Sequence, residues 1–323
     1  MVTLFVTSLS SGAGKTAICA GIGKHLIAQG KKVGYMRPLI GAPPSGADAL
    51  FMKEVLSLQE PLEALCPAFT NENQFTAGFK KAFDSIAGGK DVVIVEGSGA
   101  GIPRATSAWV VMVITYDELQ DAKVASVYKS FGQQAAGIAV NKVPTSQLGR
   151  IKTEVETNFI KSGIGLLGVL PEDRVLVTLS IDELAKIIDG QVVNNAEQTG
   201  ELAENFMLGA MTVDSSLPYY SRKTDKVAVV RGERPDMQMG ALQTSTRALV
   251  VTGGAPPVPQ VQVRAEERKI PIVTTAHDVA TVASRLEEAI ARTRFHQKSK
   301  MARMAELMAQ GFNYQLLSRI AGV

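Results

Sequence analysis

The chain has 323 residues, room for about two domains of ordinary size, and sets 34 lysines and arginines against 31 aspartates and glutamates. That balance gives no electrostatic case for nucleic acid as a partner, and no apolar run approaches the ~18 residues that a membrane helix needs. Two cysteines and three scattered histidines speak for a reducing compartment and against a structural metal centre. Met1-Val2-Thr3-Leu4 passes straight into a strand pattern without the apolar core of a signal peptide, so a soluble cytoplasmic protein is expected.

In chain order, the first apolar run, Leu4-Phe5-Val6-Thr7, leads through a loop of mostly small residues, Ser8 to Gly14, into Lys15-Thr16 and a helical pattern that lasts to residue 27. A strand, a glycine-containing loop and a helix opened by Gly-Lys-Thr form a phosphate-binding layout. Ser11, Gly12, Ala13 and Gly14 would turn their N–H groups inward at the positive end of the helix, Lys15 would reach the β- and γ-phosphates, and Thr16 would hold Mg²⁺. The strict pattern has glycine where this chain has Leu9, so the match is partial.

Residues 32–36 read as a second strand, followed by a Pro- and Gly-rich loop at 41–46 and a helical stretch opened by Asp48. A helix is predicted over 71–88. Strands follow at 91–95, which is apolar throughout as in a doubly covered parallel sheet, and at 109–114, 136–140 and 164–170, with a helix reaching about residue 132. Alternating strands and helices predict a doubly wound, mostly parallel α/β sheet, with ligand groups at the carboxyl ends of the strands. Ser180-Ile181-Asp182-Glu183 is a capping box, and 191–195 reads as a linker. Strands at 226–230, 247–251 and 270–273, with helices near 235–244, 259–268 and 277–292, make a second, smaller α/β domain. The expected division is 1–192, 193–294 and a Met-rich helical tail, 295–323, that packs on the body or on a partner.

Glu96 ends a strand where a metal-side carboxylate belongs, or simply meets water there. Asp48 reads equally as a second metal-side carboxylate or as a helix N-cap. Arg37 lies at the mouth of the second strand, where a cation would stabilise phosphoryl transfer, or is exposed. Asn141 is placed to read a purine edge; Pro144 stands where guanine-specific sites carry aspartate, which favours adenine and hence ATP. Thr252-Gly253-Gly254 ends a strand and offers backbone N–H groups to an anion or, with no helix start behind it, is a plain turn.

Five segments in order, Ser11-Gly12-Ala13-Gly14-Lys15-Thr16, Gly34-Tyr35-Met36-Arg37-Pro38, Asp48-Ala49-Leu50, Val95-Glu96-Gly97-Ser98-Gly99 and Val140-Asn141-Lys142-Val143-Pro144, resemble the dethiobiotin synthetase family of P-loop proteins, a group that includes cobyrinic acid a,c-diamide synthase. The resemblance implies ATP-dependent activation of a carboxylate or carbamate, with Lys15, Thr16, Asp48 and Glu96 as phosphate and Mg²⁺ ligands. That family carries Lys-Pro where this chain has Arg37-Pro38, and arginine does not replace that lysine. Its pattern also continues differently from Gly99-Ala100-Gly101-Ile102-Pro103-Arg104. The glutaminase domain appended in the diamide synthases needs a nucleophilic cysteine, whereas Cys19 and Cys66 both fall in the first domain.

Further on, Gly232-Glu233-Arg234-Pro235-Asp236 and Leu249-Val250-Val251-Thr252-Gly253-Gly254 resemble the DRTGG domain, with Glu233 in place of the first aspartate. The pairing resembles the N-terminal half of long bacterial phosphotransacetylases. It implies a nucleotide-dependent regulatory module, homodimeric through the DRTGG domain and open to a protein partner. The alternative is a carboxylate-activating enzyme in which Lys15 and Arg37 act catalytically. A partitioning-type ATPase is disfavoured by Ser10, where that type has lysine.

Overall fold

The computed structural model describes residues 1–41, 46–98, 101–209, 216–292, 295 and 297–323. Residues 42–45 of the proline-rich loop and Gly99-Ala100 lie outside them. Two compact units emerge: Met1–Asp173 together with Phe295–Val323, and Arg174–Arg294.

In the first unit the strands are β1 (Val2–Ser8), β2 (Val33–Met36), β3 (Leu39–Ile40), β4 (Ala68–Phe69), β5 (Val92–Glu96), β6 (Trp109–Thr115), β7 (Ala135–Val143) and β8 (Leu166–Pro171). Six of them form a parallel sheet in the order β2-β5-β1-β6-β7-β8, and β3 and β4 pair separately. All five residues of β5 are buried, which accounts for its unbroken apolar run: helices cover both faces and leave no solvent side. Strand order reverses at β1, which lies between β5 and β6, so the crevice for a ligand opens beyond its carboxyl end.

The first helix, Lys15–Ala28, is buried along Ala17–Gly23 and at Leu26, on more than one face. The tail supplies the second cover. Its helices, Met301–Gly311 and Tyr314–Ala321, bury Met301, Met304, Leu307, Met308, Leu317 and Ala321, and Met308 Cγ sits where a Cβ on Gly21 would lie 2.9 Å away. Asn313 N–H donates to Leu167 O at 2.6 Å, tying the tail to β8. The tail is therefore part of the first unit.

The second unit holds β9 (Gln191–Val192), β10 (Asn205–Leu208), β11 (Lys226–Arg231), β12 (Thr246–Thr252) and β13 (Ile272–Thr274) in the order β10-β11-β12-β13-β9, with only β9 antiparallel. The break between units falls at 173/174, ahead of the 192/193 expected from sequence. The capping-box helix Ile181–Ile187 packs Ile181, Leu184 and Ile188 with Val227, Val229, Val250 and Val273 of this sheet. The stretch 191–195, expected as a linker, contains β9, which closes the sheet edge against β13. Also unforeseen are β10 and, in the first unit, the helix Gly101–Thr106. Among the described residues no helix is long and apolar enough to cross a membrane.

Candidate nucleotide site

The carboxyl end of β1 runs into the loop that sequence singled out. Gly12 and Gly14 take left-handed backbone, at φ 78° and 97°, a conformation that costs L side chains free energy. Gly14 is also crowded: a Cβ there would lie 2.2 Å from Asn141 Nδ2. Asn141, at the end of β7, donates that amide to Ala13 O at 2.9 Å. So Asn141 clamps the loop, where sequence had placed it on a purine edge. Ser11 and Gly12 face solvent and Ala13 is buried.

Lys15 bends back, and Nζ donates to Ser8 Oγ at 2.7 Å, while that hydroxyl donates to Ser10 O at 2.6 Å. The ammonium is thus held over the loop by a neutral acceptor rather than a carboxylate, which leaves its charge available to an anion. One residue on, Thr16 Oγ1 donates to Glu96 Oε1 at 2.8 Å. The other carboxylate oxygen, Oε2, accepts from Tyr35 Oη at 2.7 Å. Glu96 is 2% exposed and Tyr35 fully buried. Burial, with the nearby Glu96 charge, pushes the Tyr35 phenol well above the ordinary tyrosine range, so it remains a donor.

Arg37 does not end at the mouth of the loop as an isolated cation: its guanidinium forms an ion pair with Asp48. Asp48, 6% exposed, lies in the first turn of the helix Gly46–Val55, past its first residue, and so is not the N-cap. Cys19, one turn along from Lys15, links the two halves. Burial raises its thiol far above the usual range, Glu96 adds to this, and Lys15 and Arg37 oppose it, so all of these charges act on one fully buried atom.

The oxygen donors suit Mg²⁺. Thr16 and Glu96 are already in contact, and no group of three or more His, Cys, Asp or Glu gathers among the described residues. Mg²⁺ held with a nucleotide needs only one or two carboxylates, the rest being phosphate and water. Ser8 and Tyr35 were missed by sequence reading. The alternation of strand side chains was the available signal, since Ser8 shares a face with Val6, and Val6 pairs with Glu96. In the second unit, Gly253 and Gly254 N–H donate to His277 O and Thr275 O at 2.9 and 3.0 Å, which leaves a turn without free donors for an anion.

Residues 2–111 match the model of an AAA domain and residues 183–289 that of the DRTGG domain. The phosphate acetyltransferase of Deinococcus radiodurans is 24% identical over 350 residues, covering 96% of this chain and 50% of its own. That of Haemophilus influenzae is 22% identical over 378 residues, covering 98% and 52%. The chain thus spans about half the length of these curated relatives. Among solved structures, the MinD cell division protein of Aquifex aeolicus is 20% identical and covers 55% of this chain and 84% of its own, with a TM-score of 0.38.

Proposed function

We infer that this chain, a P-loop domain followed by a DRTGG domain, binds ATP with Mg²⁺ and works as a nucleotide-dependent regulatory or oligomerisation module. One observation carries the reading: the site's charges are divided between a part open to phosphate and a part closed on itself. Lys15 over the glycine loop and the Thr16–Glu96 pair serve phosphate and metal. Arg37, the cation that transfer chemistry would call on, is neutralised by Asp48. A site of that kind holds a triphosphate better than it stabilises charge developing on a transferred group.

Thr16 and Glu96, with Asp48 if it leaves Arg37, would hold Mg²⁺, which supplies charge neutralisation for the phosphate oxygens. The match over about half the length of the phosphate acetyltransferases, together with the DRTGG match, supports control rather than turnover, with a homodimer formed through residues 183–289 and a protein partner as the recipient of the signal.

The test is isothermal titration of ATP and GTP with Mg²⁺ into wild type and Lys15→Ala, with phosphate release followed in the same samples. The expected outcome is ATP binding that weakens at least ~100-fold in the variant, in line with a charged hydrogen bond lost on each of two phosphates, and release at background. Steady, Lys15-dependent release would instead establish the carboxylate-activating enzyme. Absence of binding by either nucleotide would remove the site altogether.

A further inference from the structure

We propose that Tyr35 is a positioning residue that restricts Glu96 to one available oxygen and so selects Mg²⁺ over Ca²⁺ at the nucleotide site. The proposal rests on the nucleotide reading above and adds the basis of its metal specificity.

The sheet sets this arrangement. Tyr35 on β2 pairs with Ile94 on β5, and Glu96, two residues beyond Ile94, projects from the same face. The phenol therefore reaches Glu96 across one strand spacing without leaving its strand. Its oxygen takes Oε2, while Thr16 takes Oε1 from the helix side. Both ends of the carboxylate are occupied by hydroxyls, but the two are not equivalent. Thr16 is partly buried at the loop and is itself a metal-ligating type of residue in this position; Tyr35 is fully buried. Releasing Oε2 would leave a buried phenol without the acceptor it has now, a cost that a protein avoids.

With Oε2 held, Glu96 offers a metal a single oxygen, on the Thr16 side. Mg²⁺ is satisfied by one oxygen per carboxylate in a strict octahedron, whereas Ca²⁺ takes six to eight oxygens and gains from carboxylates that bind through both. The Tyr35 bond withholds that second oxygen from the larger ion.

The experiment measures ATP affinity in saturating Mg²⁺ and in saturating Ca²⁺ for wild type and Tyr35→Phe, with metal-free melting curves as the fold control. Wild type is expected to favour Mg²⁺, and the Mg²⁺-to-Ca²⁺ affinity ratio is expected to fall about tenfold in Tyr35→Phe, the scale of one buried hydrogen bond, chiefly through stronger binding with Ca²⁺. A purely structural role would weaken binding equally with both ions. An unchanged ratio in a variant that still binds ATP overturns the proposal and leaves the nucleotide site standing; wild type that binds no ATP with either ion overturns both.

Should Tyr35→Phe fail to fold, 3-fluorotyrosine at position 35 reports on the native bond. Its ¹⁹F resonance is expected to stay in place when Mg²⁺ and ATP are added. A large displacement under those conditions means that Tyr35 has released Glu96, and the proposal falls.

Discussion

Gly12 and Gly14 look alike in sequence, yet their surroundings separate them. Both have positive φ, but a Cβ on Gly12 meets nothing within 4 Å, whereas one on Gly14 runs into Asn141. Gly12→Ala is therefore expected to cost only the backbone strain of about 1 kcal/mol. Gly14→Ala adds a collision and the loss of the Asn141 clamp, for about 3 kcal/mol or more, with loss of ATP binding. Urea midpoints measure both. Adding Asn141→Ala to Gly14→Ala removes the collision, so the double variant is expected to be more stable than the sum of the two singles; strict additivity would contradict the clamp. At this scale Lys15, Thr16 and Glu96 were legible because local chemistry places them: a loop, a helix start and a strand end. Ser8, Tyr35 and the Arg37–Asp48 pair were not, because their partners are set by how Lys15 folds back over its loop, by strand register and by the way the next helix returns to the second strand.

Among the elements, the buried parallel strands stood out in sequence and the short edge strands did not. β11 and β12 are long apolar runs covered on both faces, whereas β9 has only two residues and β10 buries only Met207, so neither shows a pattern. β11 also begins with a residue that no apolar pattern predicts. Lys226 is fully buried, and Nζ donates to Thr244 Oγ1 at 2.8 Å and Ser245 O at 2.7 Å, beneath the Tyr220 ring. Burial, aided by Arg268 and opposed by Asp225, lowers Lys226 from 10.5 to about 8. Between those values Lys226 holds its proton less often in the folded chain than in the unfolded one, so its own contribution to stability is expected to rise from about pH 8 to about 10.5, while the buried Cys19 and Tyr35, which keep their protons longer when folded, pull the other way. Urea midpoints at the two ends of that window, for wild type and Lys226→Met, check this. The change in stability across the window should be more favourable in wild type than in the variant; equal changes would mean that the ammonium is as acidic unfolded as folded.

For the molecule as a whole, the path of the chain matters more than the inventory of its parts. The first unit is interrupted after Asp173 and resumes at Phe295, and the returning helices cover the helix that begins with Lys15. The Met and Leu face of the tail was readable as a packing face; that it completes the first domain was not, since nothing local ties Met308 to Gly21. Met308→Ala is expected to cost about 2–5 kcal/mol, and to act on the first unit alone. In a calorimetric scan, the transition that ATP raises should be the one that this substitution lowers. A drop in the other transition would place the tail with the wrong unit.

That interrupted path has a consequence for how the protein is born. A chain made from its amino end ordinarily completes its first domain first. Here the nucleotide domain lacks the cover for its leading helix until residues 301–321 have left the ribosome, while the second unit, continuous from 174 to 294, has every strand it needs by then. The part read first is finished last, and through most of synthesis the buried side of the Lys15 helix stands open to whatever apolar surface it meets.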